Sequence, residues 1–358
     1  MTKLADVIVI GAGQSGLAAA RALRARGISP VVLEAGPEPV GSWPHYYDSL
    51  SLFSPVSYSS IPGLDFPGDP DHYPHRDEVV SYLRSYAAGL DADIRTGTTV
   101  TTVETEGPNG FLVHTAAGET LATRGVIAAS GSFGNPYVPD LPGQDGFTGR
   151  LEHVASYRDP HDHIGERVVV VGAGNSAVQV GYELAQVATV SVATRHPMIF
   201  VPQCRGGKDV HYWLKTTGFD LLPPEWLRRY FGGRTVDDTG KYQHALETGQ
   251  LDRRAMFTAL SGDSVVWADG THEHVDTVLL ATGYRPNLSY LSTLGTIERN
   301  GPSHSGGIST THPGLVYLGL EFQRSFSSNT LRGVYRDAEY VVAPLAAHVR
   351  NAPATIGL

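Results

Sequence analysis

Asp6 to Glu34 reads DVIVIGAGQSGLAAARALRARGISPVVLE. The apolar run Val7-Ile8-Val9-Ile10 suits a buried strand and is too short for a helix of its own. It runs into Gly11-Ala12-Gly13-Gln14-Ser15-Gly16, the G-x-G-x-x-G spacing, and then into strong helix formers from Leu17 to Arg26. Gly27 stops the helix, and Val31-Val32-Leu33 predicts a second strand ending at Glu34 and Ala35. In such a unit the first glycine makes the tight turn, the second lets a pyrophosphate approach the backbone, and the third lets helix and strand touch. Framed by two strands, a helix and a terminal acid, Gly11, Gly13, Gln14, Ser15 and Gly16 predict a dinucleotide site, with phosphates at the helix N-terminus. Glu34 is placed to accept hydrogen bonds from ribose hydroxyls.

The unit recurs. Arg167–Val171 predicts a strand, Gly172-Ala173-Gly174-Asn175-Ser176-Ala177 the turn, a helix follows to Gln186, and Val190–Ala193 a second strand. From first glycine to terminal residue both copies span 23 positions, Gly11 to Glu34 and Gly172 to Arg195, but the charge is inverted. A carboxylate repels a 2′-phosphate, whereas Arg195, with His196 beside it, can pair with one. The first unit therefore predicts an FAD site and the second an NADPH site, at Gly172, Gly174, Asn175, Ser176, Ala177, Arg195 and His196. Two dinucleotides in one chain imply electron transfer between them.

Composition narrows the class. The chain has 358 residues with 41 glycines and 23 prolines, which fits a turn-rich protein of about two domains. A formal net charge of −9 argues against nucleic acid as a partner. The first strand begins by about residue 5 and no apolar run reaches the roughly 20 residues of a membrane span, so a soluble, cytoplasmic protein is expected. The single cysteine, Cys204, excludes an intrachain redox disulfide and reads as a structural or incidental thiol. The histidines show no metal-ligand spacing, and His161 and His163 read as solvated, so no metal is expected.

Further along, Gly41-Ser42-Trp43 lies beyond the second strand, where backbone and indole can border a flavin. A long Ser/Pro/Gly-rich loop runs to Pro74, and Asp77 is read as the N-cap of an amphipathic helix carrying Val79, Val80, Leu83 and Tyr86. Residues 94–126 alternate as antiparallel strands, with turns at Pro108-Asn109-Gly110 and Ala117-Gly118, and lead to a glycine turn at Gly131. Phe200 to Arg234 is aromatic and loop-rich, including Tyr212, Trp213, Phe219, Trp226, Tyr230 and Phe231; it reads as a cap on the active site, a dimer face or a satellite cluster. Strand signals recur at 264–267 and 275–280. Ser327-Ser328-Asn329-Thr330 is expected to cap a helix to about Val349, its N-terminus stabilising negative charge on a reduced flavin.

The segment from Phe147 to Tyr157, F-x-G-x-x-x-H-x-x-x-Y with His153 at its centre, together with Leu280-Ala281-Thr282-Gly283-Tyr284 and the two nucleotide motifs, resembles the class B flavin-containing monooxygenases over nearly the whole chain. The resemblance implies an α/β fold of two Rossmann-like, glutathione-reductase-like domains, with an NADPH domain at 146–282 inserted in an FAD domain at 1–145 and 283–358. It adds Leu52, Val100, Gly319, Thr282 and Gly283 to the cofactor-binding set. Where the family carries an Asn beside the flavin, this chain reads Leu52-Phe53-Ser54-Pro55, making Phe53 and Ser54 the candidate catalytic positions. The implied activity is NADPH-driven insertion of one oxygen atom from O2 into a soft nucleophile, a sulfide or amine, through a peroxyflavin at C4a. The alternative is an NADPH oxidase or flavin reductase that releases peroxide. Tyr157-Arg158 replaces the Trp-Pro or Trp-Asp ending of the Baeyer–Villiger fingerprint and favours heteroatom oxygenation. The resemblance also implies a small-molecule substrate and a homodimer.

Overall fold

The computed structural model describes residues 4–108, 110–226, 235–298 and 301–351; Asn109, Tyr230, Phe231 and Arg234 lie outside them. Strand β1 (Leu4–Ile10) is central to a nine-stranded sheet. It pairs in parallel with β2 (Val31–Leu33), which pairs with β3 (Asp93–Arg95). Between them in the chain lie helices α1 (Gln14–Arg24) and α2 (Arg76–Ala88). Strands β4 (Val100–Glu106) and β5 (Gly110–Thr115) form the antiparallel meander that leads into β6 (Thr120–Ala128). β6 lies parallel to β1 on its other side, and Leu315–Tyr317 lies parallel to β6. Alternation across the pleat explains the continuous apolar run. Val7 and Val9 enter the core shared with α1, α2 and the helix Val334–Asn351, while Ile8 and Ile10 enter a second core under the meander. Helix α1 buries Ala18, Ala19 and Ala20 and packs against Val334–Asn351.

A second sheet repeats the plan. Strands β7 (Arg150–His153), β8 (Arg167–Val171) and β9 (Thr189–Thr194) join Asp252–Ala255 and Thr277–Leu280, all parallel, in the order 252–255, β9, β8, 277–280, β7. Helix α3 (Asn175–Leu184) covers one face through Val178 and Leu184, and an antiparallel three-stranded layer over residues 259–274 covers the other through Val265 and Trp267. The chain passes between the sheets twice, and the passages pair: Pro136 bridges Tyr284, the Tyr137 N–H donates to the Gly283 carbonyl at 2.9 Å, and the Arg285 N–H donates to the Asn135 carbonyl at 2.9 Å.

Three local expectations need correction. His75, not Asp77, caps α2: the Glu78 carboxylate takes the His75 N–H at 2.7 Å, and Asp77 pairs with Arg76 in the first turn. The last helix starts at Val334, so Asn329 and Thr330 lie in a turn ahead of it. The Ser328 hydroxyl accepts the Arg324 and Ser325 N–H groups, folding 324–333 on itself; a Cβ at Gly333 would stand 2.1 Å from the Ser327 carbonyl oxygen. His163 is buried, not solvated, because Glu166 takes its Nδ1 at 3.0 Å beside Arg150 and Thr277. No helix of the described residues is long and apolar enough to cross a membrane.

Candidate active site

Both glycine turns are built alike. The Gly11 N–H donates to the Leu33 carbonyl at 2.7 Å, and the Gly172 N–H to the Ala193 carbonyl at 3.1 Å. A Cβ on Gly11 would stand 2.6 Å from the Ala129 oxygen, and one on Gly172 would stand 2.4 Å from the Ala281 oxygen. Both residues have positive φ, so only glycine fits without strain. Gly16 and Ala177 sit beneath their turns as packing contacts rather than on a cleft surface: a Cβ on Gly16 would stand 1.8 Å from the Gly11 oxygen, and Ala177 lies against Gly172.

The first turn opens on a cleft of about 400 Å³ lined by Gly11, Gly13, Gln14, Ser15, Glu34, Ala35, Gly41, Ser42, Trp43, Val100, Gly131, Gly319 and Asn329. The Glu34 carboxylate is already engaged, accepting the Ala12 N–H at 2.6 Å and the Gly36 N–H at 2.8 Å, so it holds the turn in shape while facing the cleft. Gln14 is a cross-brace. Its carbonyl oxygen accepts the Trp43 indole N–H at 2.7 Å, and its amide donates to the Asn329 carbonyl at 2.8 Å. Gly41 and Gly319 press on the turn, where side chains would meet Gly13 Cα at 2.7 Å and Ser15 Oγ at 2.2 Å.

The second turn opens on a cleft of about 960 Å³ that brings together Gly172, Gly174, Asn175, Ser176, Arg195, His196, Thr282 and Gly283. Arg195 and His196 are exposed, and no carboxylate among the described residues pairs with Arg195. Asn175 is tied to Asp237: it accepts the Asp237 N–H at 2.9 Å and faces its carboxylate at 3.2 Å. Burial pushes Asp237 above the usual carboxylate range.

Between the clefts lies an aromatic seam. Phe133 stacks on Tyr284 at 5.3 Å and packs on Tyr46 at 4.5 Å, and Tyr46 packs on Trp43 at 5.5 Å. Burial pushes the Tyr46 and Tyr284 phenols up, so both stay protonated donors. Of these residues the sequence reading assigned only Trp43 to the cofactor site, although Phe133 lies in the flagged glycine turn and Tyr284 closes the A-T-G-Y element. Asn287, also in the first cleft, carries no local sequence signal; it arrives there because its N–H donates to the Gly131 carbonyl at 2.8 Å. His153 ends β7 against the paired passages. Its Nδ1 accepts the Ala155 N–H at 3.1 Å, so its proton sits on Nε2 and is donated to the Gly283 carbonyl at 3.1 Å. Burial holds its pKa below the ordinary value, opposed by that carbonyl.

The candidate catalytic positions lie elsewhere. Neither Phe53 nor Ser54 lines either cleft, and neither do Leu52 and Thr330. The Ser54 hydroxyl is turned inward at 3.0 Å from the Ser59 hydroxyl, and Leu52 packs on the first core. Thr330 donates its hydroxyl to the Ser327 carbonyl. Phe53 stacks on His211 at 5.9 Å, and its carbonyl takes the Gln203 amide at 2.9 Å, which fastens the 200–226 segment to this loop. There Asp209 accepts from His211 at 2.7 Å, from Gln203 at 2.9 Å and from the Tyr73 hydroxyl. Burial would raise its pKa, but these bonds outweigh burial and hold it at about 2. Cys204 is exposed, and the described residues contain no group of three or more side chains able to hold a metal.

The donor set fits two dinucleotides. Helices α1 and α3 each begin at an extended glycine with no side-chain cap and no acid in the first turn, so their N-terminal N–H groups and dipoles remain open to pyrophosphate. The carboxylate at the first terminal position and the free guanidinium at the second keep the inverted charge in three dimensions.

Comparisons with known proteins agree. The pyridine nucleotide-disulphide oxidoreductase family matches residues 8–220. A flavin-containing monooxygenase from Stenotrophomonas maltophilia superposes with a TM-score of 0.85 at 32% identity, over 97% of this chain and 99% of that one, and so does a double mutant of it. An uncharacterised CzcO-like oxidoreductase of Geobacillus kaustophilus is 31% identical over 97% of this chain and 100% of its own. An indole-3-pyruvate monooxygenase of Oryza sativa is 31% identical over 83% of this chain and 81% of its own.

Proposed function

Given that the chain belongs to the pyridine nucleotide-disulphide oxidoreductase family and is an oxidoreductase of the flavin-containing monooxygenase type, we propose that it takes electrons from NADPH and transfers one oxygen atom of O2 to a soft nucleophile, a sulfide or amine. The balance is NADPH, H⁺, O2 and substrate in, NADP⁺, water and oxygenated substrate out. The observation that carries the NADPH assignment is the exchange of Glu34 for Arg195 at equivalent ends of the two nucleotide units.

FAD, when bound, supplies the two-electron relay and the activation of oxygen. The residues do the rest. Gly11, Gly13 and the open end of α1 would hold one pyrophosphate, with Glu34 available to its ribose. Gly172, Gly174 and the open end of α3 would hold the other, with Arg195 and His196 available to the 2′-phosphate. Trp43, Tyr46, Phe133 and Tyr284 form the seam between the clefts and would limit water there, which favours oxygen transfer over release of peroxide. No side chain is required as nucleophile. The name of the rice relative gives indole-3-pyruvate, a 2-oxo acid, and makes that class the second one to screen.

The test is stoichiometric. Purified enzyme is supplied with NADPH, O2 and a panel of thioethers, amines and 2-oxo acids while NADPH loss, oxygenated product and hydrogen peroxide are counted together. One product per NADPH supports the reading. Quantitative peroxide with every substrate replaces it with an NADPH oxidase.

A further inference from the structure

Arg332 is a buried cation with half of its guanidinium unspent. Its side chain is 8% exposed, and Nη1 donates to Asp220 Oδ2. Nε and Nη2 have no hydrogen-bond partner among the described residues, nor does Asp220 Oδ1. Those two nitrogens form one edge of the planar fork, the edge whose parallel N–H groups match the two oxygens of a carboxylate. Leaving charged donors buried and unpaired is costly, and folded proteins keep few such groups. Among the described residues no second anion pairs with that edge. Arg336 also approaches Asp220, at 3.7 Å, so two guanidinium groups share one carboxylate. Arg324 has its own partner in Asp337, at 3.3 Å. Asp209 is engaged by His211 and Gln203, and Asp237 by Asn175.

The position is as informative as the vacancy in bonding. Arg332 stands three residues past Asn329, which lines the first cleft and is braced to the glycine turn by Gln14. It also lies within electrostatic reach of Asp237, the residue that holds Asn175 of the second turn. Next to Asp220, Phe219 meets Phe326 edge-on at 5.8 Å. A buried charged edge beside apolar rings suits a small organic acid with an apolar body.

We propose that the Nε–Nη2 edge of Arg332 is the anchor for a substrate carboxylate, so that the molecule oxygenated is an anionic one. The proposal rests on the oxygenation reading above and names its substrate class. Asp220 positions the guanidinium through Nη1, and its free Oδ1 stands ready for a donor carried by the same ligand.

The experiment titrates the FAD-loaded, oxidised enzyme calorimetrically with 4-(methylthio)benzoate and with its methyl ester, which differ in the charge of the anchor group and by one methyl. Inorganic phosphate at equal ionic strength is the third titrant. Wild type should bind the acid at least tenfold more tightly than the ester, and more tightly than phosphate. Arg332→Gln should lose that preference and keep its affinity for the ester. Because removing Arg332 alone strands Asp220, the double variant Asp220→Asn/Arg332→Gln is measured as well and should show the same loss with a normal flavin spectrum. Equal affinity for acid and ester, binding of neither, phosphate binding as tight as the acid, or a preference that survives both substitutions overturns the proposal. Turnover separates the two readings. Acid binding with only peroxide formed sinks oxygenation and leaves the anchor standing, whereas both thioethers oxygenated with equal kcat/KM sinks the anchor and leaves oxygenation standing.

Discussion

Gly41 and Gly13 touch backbone to backbone: a Cβ on Gly41 would stand 2.7 Å from the Cα of Gly13, and Gly41 holds φ at +61°. The glycine of the Trp43 loop therefore shapes the pyrophosphate turn of α1, although 28 residues separate the two in sequence. Gly41→Ala is expected to push the turn out of register and yield protein with less than a tenth of wild-type flavin content, read from the ratio of visible to ultraviolet absorbance. Full flavin occupancy in that variant would disprove the coupling.

Arg195 ends the second unit with no carboxylate partner among the described residues, so its charge is available to a ligand. A charge-assisted contact to phosphate contributes about 1.5–3 kcal/mol. Arg195→Ala should raise the KM for NADPH roughly tenfold to a hundredfold and change the KM for NADH little. Equal effects on both nucleotides would remove the 2′-phosphate assignment.

Stability should respond to His153. Its neutral ring is the one the fold accommodates, since Nδ1 accepts from Ala155, and burial holds its folded pKa below the unfolded value. Between those two values the unfolded chain binds more protons, so stability is full above pH about 6.5 and falls as pH drops below it. Thermal unfolding of wild type and His153→Gln from pH 8 to pH 5 should show the gap between them narrowing on the acid side. A gap constant with pH would mean that His153 does not titrate in this window.

Ser54 should be dispensable for the chemistry. Its hydroxyl faces Ser59 inside the loop, away from both clefts. Ser54→Ala is expected to cost about 1 kcal/mol of stability, measured by denaturant unfolding, while flavin content and turnover with NADPH stay within twofold. A tenfold fall in turnover at unchanged flavin content would return Ser54 to the active site.

Much of the site was legible because nucleotide binding is local. The turn Gly11 to Gly16, the acid at Glu34 and their copy at Gly172 to Arg195 each lie within one strand–helix–strand unit, where spacing alone sets geometry. The helix expected to begin at Ser327 was misread for the opposite reason. Serines favour caps by propensity, but here Ser328 spends its hydroxyl on the backbone of 324–325 and delays the helix to Val334.

The sequence by itself determined the two nucleotide units, the cofactor classes and the charge inversion between Glu34 and Arg195, because each unit closes within the 23 positions from its first glycine to its terminal residue. Only the tertiary structure decided where Phe53 and Ser54 face, that Asn287 enters the first cleft, and that Arg332 from the end of the chain meets Asp220 from the 200–226 segment, 112 positions away. No periodicity or motif spans such separations. Those contacts arise when segments distant in the chain pack together, and burial then sets which polar groups are paired and which are left for a ligand.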